Sequence, residues 1–312
     1  MKTINCLGFI FLLAFTNIKA QCTHPDYQSL MLLYYSTNGT NWKNNLGWVN
    51  GANGTNCDPC NGWYGINCTN NRVTQIDLHD NSLSGTIPVL NLTELVSIQL
   101  HNNELTGPIP NFNLKKLTAI RLSSNKLSSL IPNFRLPKLN VLLLDNNQLS
   151  GSIPNLDSCT SMSQLYLNNN QLSGTIPNFN MPYIGELRLD NNQLSGSIPS
   201  FNMSYIQFLH LQNNRLSGPI PNFNCPNLWS LNMRNNKLSG DIPNFEMQSI
   251  RFFRLGKNQL NGKIPNFNFP NIITLELDSN NLIGQVPDFI FPNLENLDFS
   301  NNNLSGYLPN FK

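Results

Sequence analysis

The sequence predicts a solenoid, a fold in which short repeated units stack along one axis. The phrase L-R-L-D-N-N-Q-L-S-G-S-I-P at Leu187–Pro199 recurs through most of the 312 residues. One asparagine marks the same place in each copy, and successive markers lie 22 residues apart, except for one interval of 23. Units this short bury an apolar face only by stacking on a neighbour. The eleven markers are Asn81, Asn103, Asn125, Asn147, Asn170, Asn192, Asn214, Asn236, Asn258, Asn280 and Asn302.

Each recurring position has a physical role. The alternation of Leu187 and Leu189 predicts a short strand with its leucines turned inward. The marker Asn192 follows, and its amide can both donate to and accept from backbone groups that no sheet ladder reaches. Gly196 permits backbone angles that other residues resist, and Pro199 ends regular pairing. Each repeat is therefore a strand, a turn and a return path.

A phenylalanine follows two residues after the proline in nine copies. Side chains that recur at one phase of a solenoid stack on one another, so this column predicts an aromatic spine on the side away from the strands. The nine residues are Phe112, Phe134, Phe179, Phe201, Phe223, Phe245, Phe267, Phe289 and Phe311.

The first twenty residues predict a secretory signal peptide. Lys2 supplies a positive start, Leu7 to Phe15 form an apolar core too short to span a bilayer, and Ala20 is a small residue at the expected cleavage point. Neither a second apolar stretch nor a lipid-anchor tail follows, so we expect a secreted extracellular protein with no membrane anchor.

Composition excludes several classes of partner. Without Lys2 and Lys19 the chain has 17 basic and 17 acidic residues, so the mature protein is neutral. A neutral protein has no electrostatic attraction to nucleic acid or to an anionic membrane. The sequence has no glycine-rich phosphate loop, G-x-S-x-G elbow or H-E-x-x-H motif. We therefore expect no cofactor, no catalytic residues and no enzyme activity.

Residues 21–72 lack the repeat and predict a cap over the open N-terminal end of the solenoid, with the repeats filling residues 73–312. The segment Thr23–Asp26 fits a capping box with Pro25 in the first turn of a helix. That helix is expected to run through Leu30, Leu33 and Tyr34. Three large side chains are expected to cover the apolar end of the first repeat: Trp42, Trp48 and Trp63.

The phrase L-x-L-x-x-N-x-L-S-G-x-I-P resembles the plant-type leucine-rich repeat, the family of polygalacturonase-inhibiting proteins and receptor-like kinase ectodomains. The cap segment Cys60–Cys68 is similar to the C-x-W-x-G-x-x-C of plant N-terminal caps, with one extra residue before the tryptophan. The resemblance implies an α/β-type solenoid of eleven repeats, curved like a horseshoe, with a parallel β-sheet on the concave face and a disulfide-bonded cap. It also implies recognition of another molecule by that face.

The cysteines fall into two groups. The four in the cap, Cys22, Cys57, Cys60 and Cys68, read as disulfides in a secreted protein and allow three pairings. The family resemblance favours Cys22–Cys57 and Cys60–Cys68. The C-x-x-C spacing of Cys57 and Cys60 also suits zinc, but a second ligand pair is missing.

Two further cysteines, Cys159 and Cys225, lie in an inward column three repeats apart. At about 4.8 Å per strand their separation is roughly 14 Å, beyond the ~7 Å that a disulfide allows between Cα atoms. We expect both to be buried free thiols.

Glycosylation sequons are frequent, and most lie in or beside the cap. Asn67 is the weakest because Cys68 occupies the middle position of its sequon. The expected sites are Asn38, Asn53, Asn91, Asn202 and Asn303.

The residue between the two strand leucines points outward and varies from copy to copy. Because it does not pack in the core, this position is suited to recognition of a partner. Its column reads Asp77, Gln99, Arg121, Leu143, Tyr166, Arg188, His210, Asn232, Arg254, Glu276 and Asp298.

Large aromatic side chains concentrate in the third quarter of the chain. Phe208 and Phe252 stand where other copies hold Gln75, Ser97 or Glu186. Aromatic residues and arginine dominate interface hot spots, so the sequence predicts a partner-binding site here. The arginines are expected to orient an acidic or hydroxyl-rich partner through forked hydrogen bonds, and His210 to make binding pH-dependent. The predicted site comprises Tyr166, Arg188, Phe208, His210, Trp229, Arg234, Phe252 and Arg254.

Alternatives to this interpretation stay open. The aromatic residues can instead pack along the edge of the solenoid. His79 and His101, beside Asp77, are neighbours that could ligate a metal, although paired exposed histidines are more often simply solvated and we predict no metal site. The leading function is a secreted protein that binds another protein or a glycan. The second is a structural or adhesive matrix component that self-associates edge to edge at an uncapped C-terminus; the third, an enzyme, is disfavoured.

Overall fold

The structure is a computed structural model that describes residues 22–201, 203–223 and 225–307. The predicted signal peptide at 1–20, the sequon at Asn202 and the last spine residue, Phe311, lie outside the described residues. Within those three ranges, no helix is both long enough and apolar enough to cross a bilayer.

The N-terminal cap is a helical layer built on aromatic contacts. Helix α1 (Tyr27–Ser36), a 3-10 turn (Gly39–Asn41) and helix α2 (Trp48–Ala52) precede the first repeat. The Trp42 and Trp48 rings lie 4.9 Å apart and the Trp48 and Trp63 rings 5.0 Å apart, and all three side chains are buried. These rings cover the apolar end of the solenoid, as the sequence predicted.

The predicted capping box is wrong. Helix α1 begins at Tyr27 without a side-chain cap, and Asp26, expected to lie inside the first turn, precedes it. The fully buried Asp26 carboxylate instead accepts two hydrogen bonds from Arg72 Nε and Nη2, the shorter at 2.7 Å, and one from the Val73 amide at 2.8 Å. A buried charge is stable only when it is paired, so this interaction takes the carboxylate away from the helix.

Two disulfides fix the cap, and both are the predicted pairs: Cys22–Cys57 and Cys60–Cys68. The thiolates that zinc would need are therefore consumed at Cys57 and Cys60. Cys159 and Cys225 are buried free thiols, as predicted, and burial raises the pKa of Cys225 to about 11.

Eleven parallel strands, one per repeat, and one antiparallel strand from the cap form a twelve-stranded sheet, here called the long sheet. Each strand pairs in register with the equivalent strand of the next repeat, so Leu165 pairs with Leu187 and Leu187 with Leu209. These leucines are buried. The strands are β1 (Ile66–Thr69), β2 (Arg72–Asp77), β4 (Ser97–Gln99), β6 (Ala119–Arg121), β8 (Val141–Leu143), β10 (Gln164–Tyr166), β12 (Glu186–Arg188), β14 (Phe208–His210), β16 (Ser230–Asn232), β18 (Phe252–Arg254), β20 (Thr274–Glu276) and β22 (Asn296–Asp298).

A second sheet, which the sequence analysis did not predict, runs along another side of the solenoid. This side sheet has nine strands, and one further strand pair extends the series. The strands are β3 (Ser84–Thr86), β5 (Glu104–Gly107), β7 (Lys126–Ser129), β9 (Gln148–Ser152), β11 (Gln171–Gly174), β13 (Gln193–Gly196), β15 (Arg215–Gly218), β17 (Lys237–Asp241) and β19 (Gln259–Asn261), with β21 (Ile283–Gly284) and β23 (Asn303–Leu304) as the pair. Strands β9, β11, β13, β15 and β17 carry the x-L-S-G phrase with its leucine buried and its glycine at positive φ, as at Gly196 (77°). In β7 the positive-φ position is held by Ser129 (76°).

The marker asparagines form the ladder that the sequence predicted. The Asn192 amide donates to the carbonyl oxygens of Leu167 at 2.9 Å, Leu189 at 3.1 Å and Asp190 at 3.2 Å. Its Oδ1 accepts from the Leu172 amide at 2.9 Å. Each ladder side chain thus joins the turn of its own repeat to the repeat before it, where neither sheet supplies a partner.

The phenylalanine column forms the predicted spine. Phe201 and Phe223 stack with ring centroids 6.0 Å apart, and Phe223 and Phe245 repeat that distance. Within the described part of residues 73–307, the return paths are extended segments and turns, and no helix occurs. The solenoid therefore has a strand face, a side sheet and an aromatic spine around one continuous core.

Replacing a ladder asparagine is expected to destabilise the fold far more than replacing its exposed neighbour. Asn192→Ala leaves backbone groups unpaired and should cost about 1–3 kcal/mol for each such group. The exposed Gln193 makes no ladder bond, so Gln193→Ala should change stability by no more than about 0.5 kcal/mol. Chemical denaturation of both variants tests this, and equal unfolding midpoints would contradict the ladder assignment.

Candidate functional site

The outward residues of the long sheet form a regular grid, here called the long-sheet face. Pairing is in register along the central strands, from Tyr166 to Arg188, His210, Asn232 and Arg254. This confirms the outward column that the repeat phase predicted. The eight predicted site residues lie on β10 to β18 or in the turns beside those strands.

Three aromatic side chains form a continuous wall at the start of these strands. Phe208 lies 5.2 Å from Trp229 and Trp229 lies 5.0 Å from Phe252, both in edge-to-face contact. All three rings are half-buried, while Ser230, which pairs with both phenylalanines, is buried between them. The rings therefore pack on each other along the edge and still present part of their surface to solvent.

Tyr166, Glu186 and Arg188 form a polar cluster next to the wall. The Tyr166 hydroxyl donates to Glu186, and Arg188 Nη2 donates to the same carboxylate at 3.1 Å. The Arg188 guanidinium lies 4.5 Å from the centre of the Tyr166 ring and 5.9 Å from that of Phe208. Burial and the bond to Glu186 raise the Tyr166 pKa to about 12, so its hydroxyl stays protonated.

Arg234 and Arg254 flank the wall on its other side, and both are occupied by carboxylates. Arg234 binds Asp278 with two nitrogens, at 2.5 and 2.8 Å, and Glu276 at 3.1 Å. Arg254 Nε donates to Glu276 at 3.1 Å. The guanidinium forks that the sequence analysis assigned to a partner are thus engaged within the protein, which fixes their positions in advance.

His210 titrates at a lower pH than the sequence suggested. Its Nε2 lies 3.0 Å from the Ser230 hydroxyl, and its ring is in edge contact with Phe208. Burial, followed by the positive charges of Arg188 and Arg254, lowers the His210 pKa to about 4. The side chain is therefore neutral at physiological pH, and any pH dependence of binding that arises from His210 is expected near pH 4 and not near the ordinary histidine pKa of about 6.5.

One row of residues was missed by the sequence analysis. Trp229 belongs to a row one position before the strands, and each backbone amide in this row donates to the carbonyl of the row's preceding member. Arg251 donates to Trp229 at 2.9 Å, Ile273 to Arg251 at 2.8 Å and Glu295 to Ile273 at 2.9 Å. The repeat phase that placed Trp229 also places the other three, so reading this column as a whole would have found them.

The repeats match a known protein family. Residues 161–180, 205–225, 227–246 and 293–311 match the family model described as Leucine Rich Repeat. These segments coincide with the stacked units of the solenoid.

The repeats of this chain are leucine-rich repeats.

Solved structures confirm the plant-type resemblance. A plant ice-binding protein aligns with a TM-score of 0.70 and 26% identity, over 94% of this chain and 99% of that chain. The structure of PEPR1 with AtPEP1 aligns at 0.69 and 26%, over 92% and 50%. The Arabidopsis receptor kinase HAESA ectodomain, in complex with an N-terminally extended IDA peptide hormone, aligns at 0.64 and 29%, over 95% and 54%. The leucine-rich-repeat chain thus spans about half the length of these two receptor structures.

The histidine pair of the first repeats is stacked. The His79 and His101 rings lie 4.8 Å apart and nearly parallel, and His79 Nδ1 is 2.5 Å from Asp77. Asp77 raises the His79 pKa, whereas burial and then the charge of His79 lower the His101 pKa. In the part of the chain that the structure describes, potential metal-ligating atoms converge only at His24, Asp58 and the disulfide-bonded Cys60.

The described sequons are accessible. Asn38, Asn53, Asn91 and Asn303 all have exposed side chains. Asn38, Asn53 and Asn91 lie in or beside the cap, and Asn303 lies on β23 beyond the aromatic wall. Glycans at these positions would leave the wall uncovered.

Because the His210 pKa is lowered in the folded state, the unfolded chain takes up its proton first as the pH falls from about 6.5 towards 4. Stability contributed by neutral His210 is therefore present above that window and is lost within it. His210→Gln should show a smaller drop in melting temperature between about pH 7 and 5 than the parent protein. His79→Gln, which removes a raised pKa, should show a larger drop; identical pH profiles for all three proteins would contradict both assignments.

Proposed function

We propose that this leucine-rich-repeat protein is a secreted, non-enzymatic recognition protein that binds an extracellular peptide or protein through the long-sheet face. The observation that carries the proposal is the wall of Phe208, Trp229 and Phe252. The equivalent positions in other repeats are mostly small or polar, so the wall is not required by the repeat itself. Partly exposed aromatic side chains carry a solubility risk, and binding accounts for them.

The surroundings of the wall favour a binding site over an exposed packing defect. Large aromatic rings supply contact area with little loss of conformational freedom, and arginines beside them are typical of hot spots. Arg188, Arg234 and Arg254 are held by internal carboxylates, so a partner would meet a rigid surface. Preorganised side chains reduce the entropy that binding costs.

The structural neighbours support a peptide or protein as the partner. PEPR1 was crystallised with AtPEP1 and HAESA with a peptide hormone. Two disulfides in the cap and exposed sequons support passage through a secretory compartment. The titrating groups of the face are poorly suited to catalysis, because Tyr166 stays protonated and His210 stays neutral at physiological pH.

The repeat itself supplies the test substitutions. Ser230 occupies the column of Phe252, and Ser163 occupies the column of Trp229. The double variant Trp229→Ser with Phe252→Ser should therefore keep the fold while losing at least about 2 kcal/mol of affinity, roughly thirtyfold, for a partner recovered by pull-down with the secreted protein. Tyr205→Ser, which removes an exposed aromatic off the long-sheet face, serves as the control and should bind normally.

Two results would redirect the proposal. A double variant that melts early but binds normally while folded would show that the wall is edge packing. A partner that binds the parent and the double variant equally would place the site elsewhere.

Ice is the second candidate ligand. The plant ice-binding protein is covered over 99% of its length. Exposed hydroxyls recur at or directly after the C-terminal ends of three side-sheet strands, at Ser152, Thr175 and Ser197. The same preparations distinguish the two functions in an ice recrystallisation assay. Ice binding predicts inhibition that Thr175→Asp abolishes and that the Trp229/Phe252 variant keeps; no inhibition by the parent protein would exclude it.

A further inference from the structure

A groove borders the aromatic wall on the edge of the long sheet. It has a volume of about 480 Å³, and its lining includes Arg251, Ile273, Glu295, Asn271 and Asn293. The two asparagine amides donate to the backbone, Asn271 to Gln248 at 2.9 Å and Asn293 to Pro270 at 3.2 Å. Within the described ranges their Oδ1 atoms accept no hydrogen bond, so this edge groove combines a cation, an aliphatic side chain, an anion and two amide acceptors.

The charges of the edge groove differ from those of the long-sheet face. Arg188, Arg234 and Arg254 are each paired with a carboxylate. Among the described residues, neither Arg251 nor Glu295 has an ion-pair partner, and both side chains are exposed. The Arg251 guanidinium lies 5.7 Å from the centre of the Trp229 ring, which orients it without neutralising it. These two charges are therefore available to a ligand.

The spacing of the row restricts the shape of that ligand. Arg251 and Glu295 are two strands apart, which corresponds to about 9.6 Å at ~4.8 Å per strand. Residues i and i+3 of a polyproline-II helix lie on one side, about 9.3 Å apart. In an extended β-strand, residues on one side lie about 6.6 or 13 Å apart, and neither distance matches as well. Trp229, next in the same row, supplies the aromatic wall against which proline-rich segments dock.

We propose that the edge groove recognises a polyproline-II segment of an extracellular partner that carries an acidic and a basic residue three positions apart. The acidic residue pairs with Arg251, the basic residue pairs with Glu295, and proline rings pack on Trp229 and Ile273. The inference rests on the proposed function and names the chemistry of its partner. Arg251 and Glu295 are then the residues that determine specificity for the charges of the segment, whereas the paired arginines of the long-sheet face contribute a fixed contact surface.

The probes are two synthetic peptides, acetyl-Pro-Pro-Asp-Pro-Pro-Lys-Pro-amide and its charge-reversed form with Lys first and Asp second. Because the two orders correspond to opposite chain directions, one of them should bind better. Fluorescence anisotropy of labelled peptide is expected to show at least tenfold tighter binding than a peptide with serine at both charged positions. Affinity should fall as salt is raised, because both charges are exposed.

Substitutions at Arg251 and Glu295 test whether these two charges account for peptide binding. Arg251→Glu and Glu295→Arg should each weaken the preferred peptide at least tenfold, and the double swap should invert the preference between the two charge orders. Arg215→Glu, at an exposed position on the side sheet, is the matched control and should leave binding unchanged. Peptides with the charges two or four positions apart should bind less tightly than those three apart.

The inference is overturned if neither charged peptide binds more tightly than the serine peptide, if Arg251→Glu behaves like Arg215→Glu, or if another spacing binds best. Its failure is distinct from failure of the proposed function. A pull-down partner that is lost with Trp229→Ser and Phe252→Ser but kept with Arg251→Glu supports recognition by the wall and rejects the edge groove.

Discussion

The asparagine ladder is the interaction on which the rest of the molecule depends. A solenoid with two parallel sheets must turn its backbone between them, and the turn leaves carbonyl and amide groups that neither sheet can pair. The Asn192 side chain bonds three carbonyl oxygens and one amide at such a turn. Because equivalent asparagines do the same in the neighbouring repeats, each unit is held to the next at one pitch and in one register.

A fixed register separates structural from functional positions. Inward columns, such as the one that contains Leu187, are apolar in every repeat and buried in all but the last. Outward columns are aligned by the same register, but their side chains do not pack in the core, so dissimilar residues can lie side by side. This explains how Phe208, Trp229 and Phe252 come together from three repeats although they are 21 to 23 residues apart in sequence. The inward columns keep the scaffold rigid, and the outward columns determine the chemistry of its surface.

The repeat phase accounts for what the sequence could predict. It placed the inward leucines, the phenylalanine spine, the free Cys159 and Cys225 and the outward column, because each depends only on position within a unit. The side sheet escaped prediction because its strands are short and most of them contain a glycine, as at Gly196. The capping box at Thr23 failed because Arg72, distant in sequence, takes the carboxylate of Asp26.

Interactions between residues of different columns were also not predicted from the sequence. The sequence analysis treated Arg234 and Arg254 as donors to a partner, whereas Glu276 and Asp278, one or two strands away, already accept from them. Column-by-column reading does not reveal such diagonal pairs. The lowered pKa of His210 has the same origin, since it depends on burial and on arginines of neighbouring strands.

Hydrogen exchange of the ladder-bonded amides tests the central claim most directly. The Leu172 and Leu194 amides donate to Asn192 and Asn214 Oδ1 at 2.9 and 3.0 Å, outside the backbone pairing of either sheet. The Leu189 amide donates to the His210 carbonyl at 2.9 Å and serves as the backbone-bonded reference. If the asparagine ladder holds the repeats together, the two ladder amides exchange as slowly as Leu189 does. Exchange of Leu172 and Leu194 at the rate of exposed turn amides, with Leu189 still protected, would contradict the account.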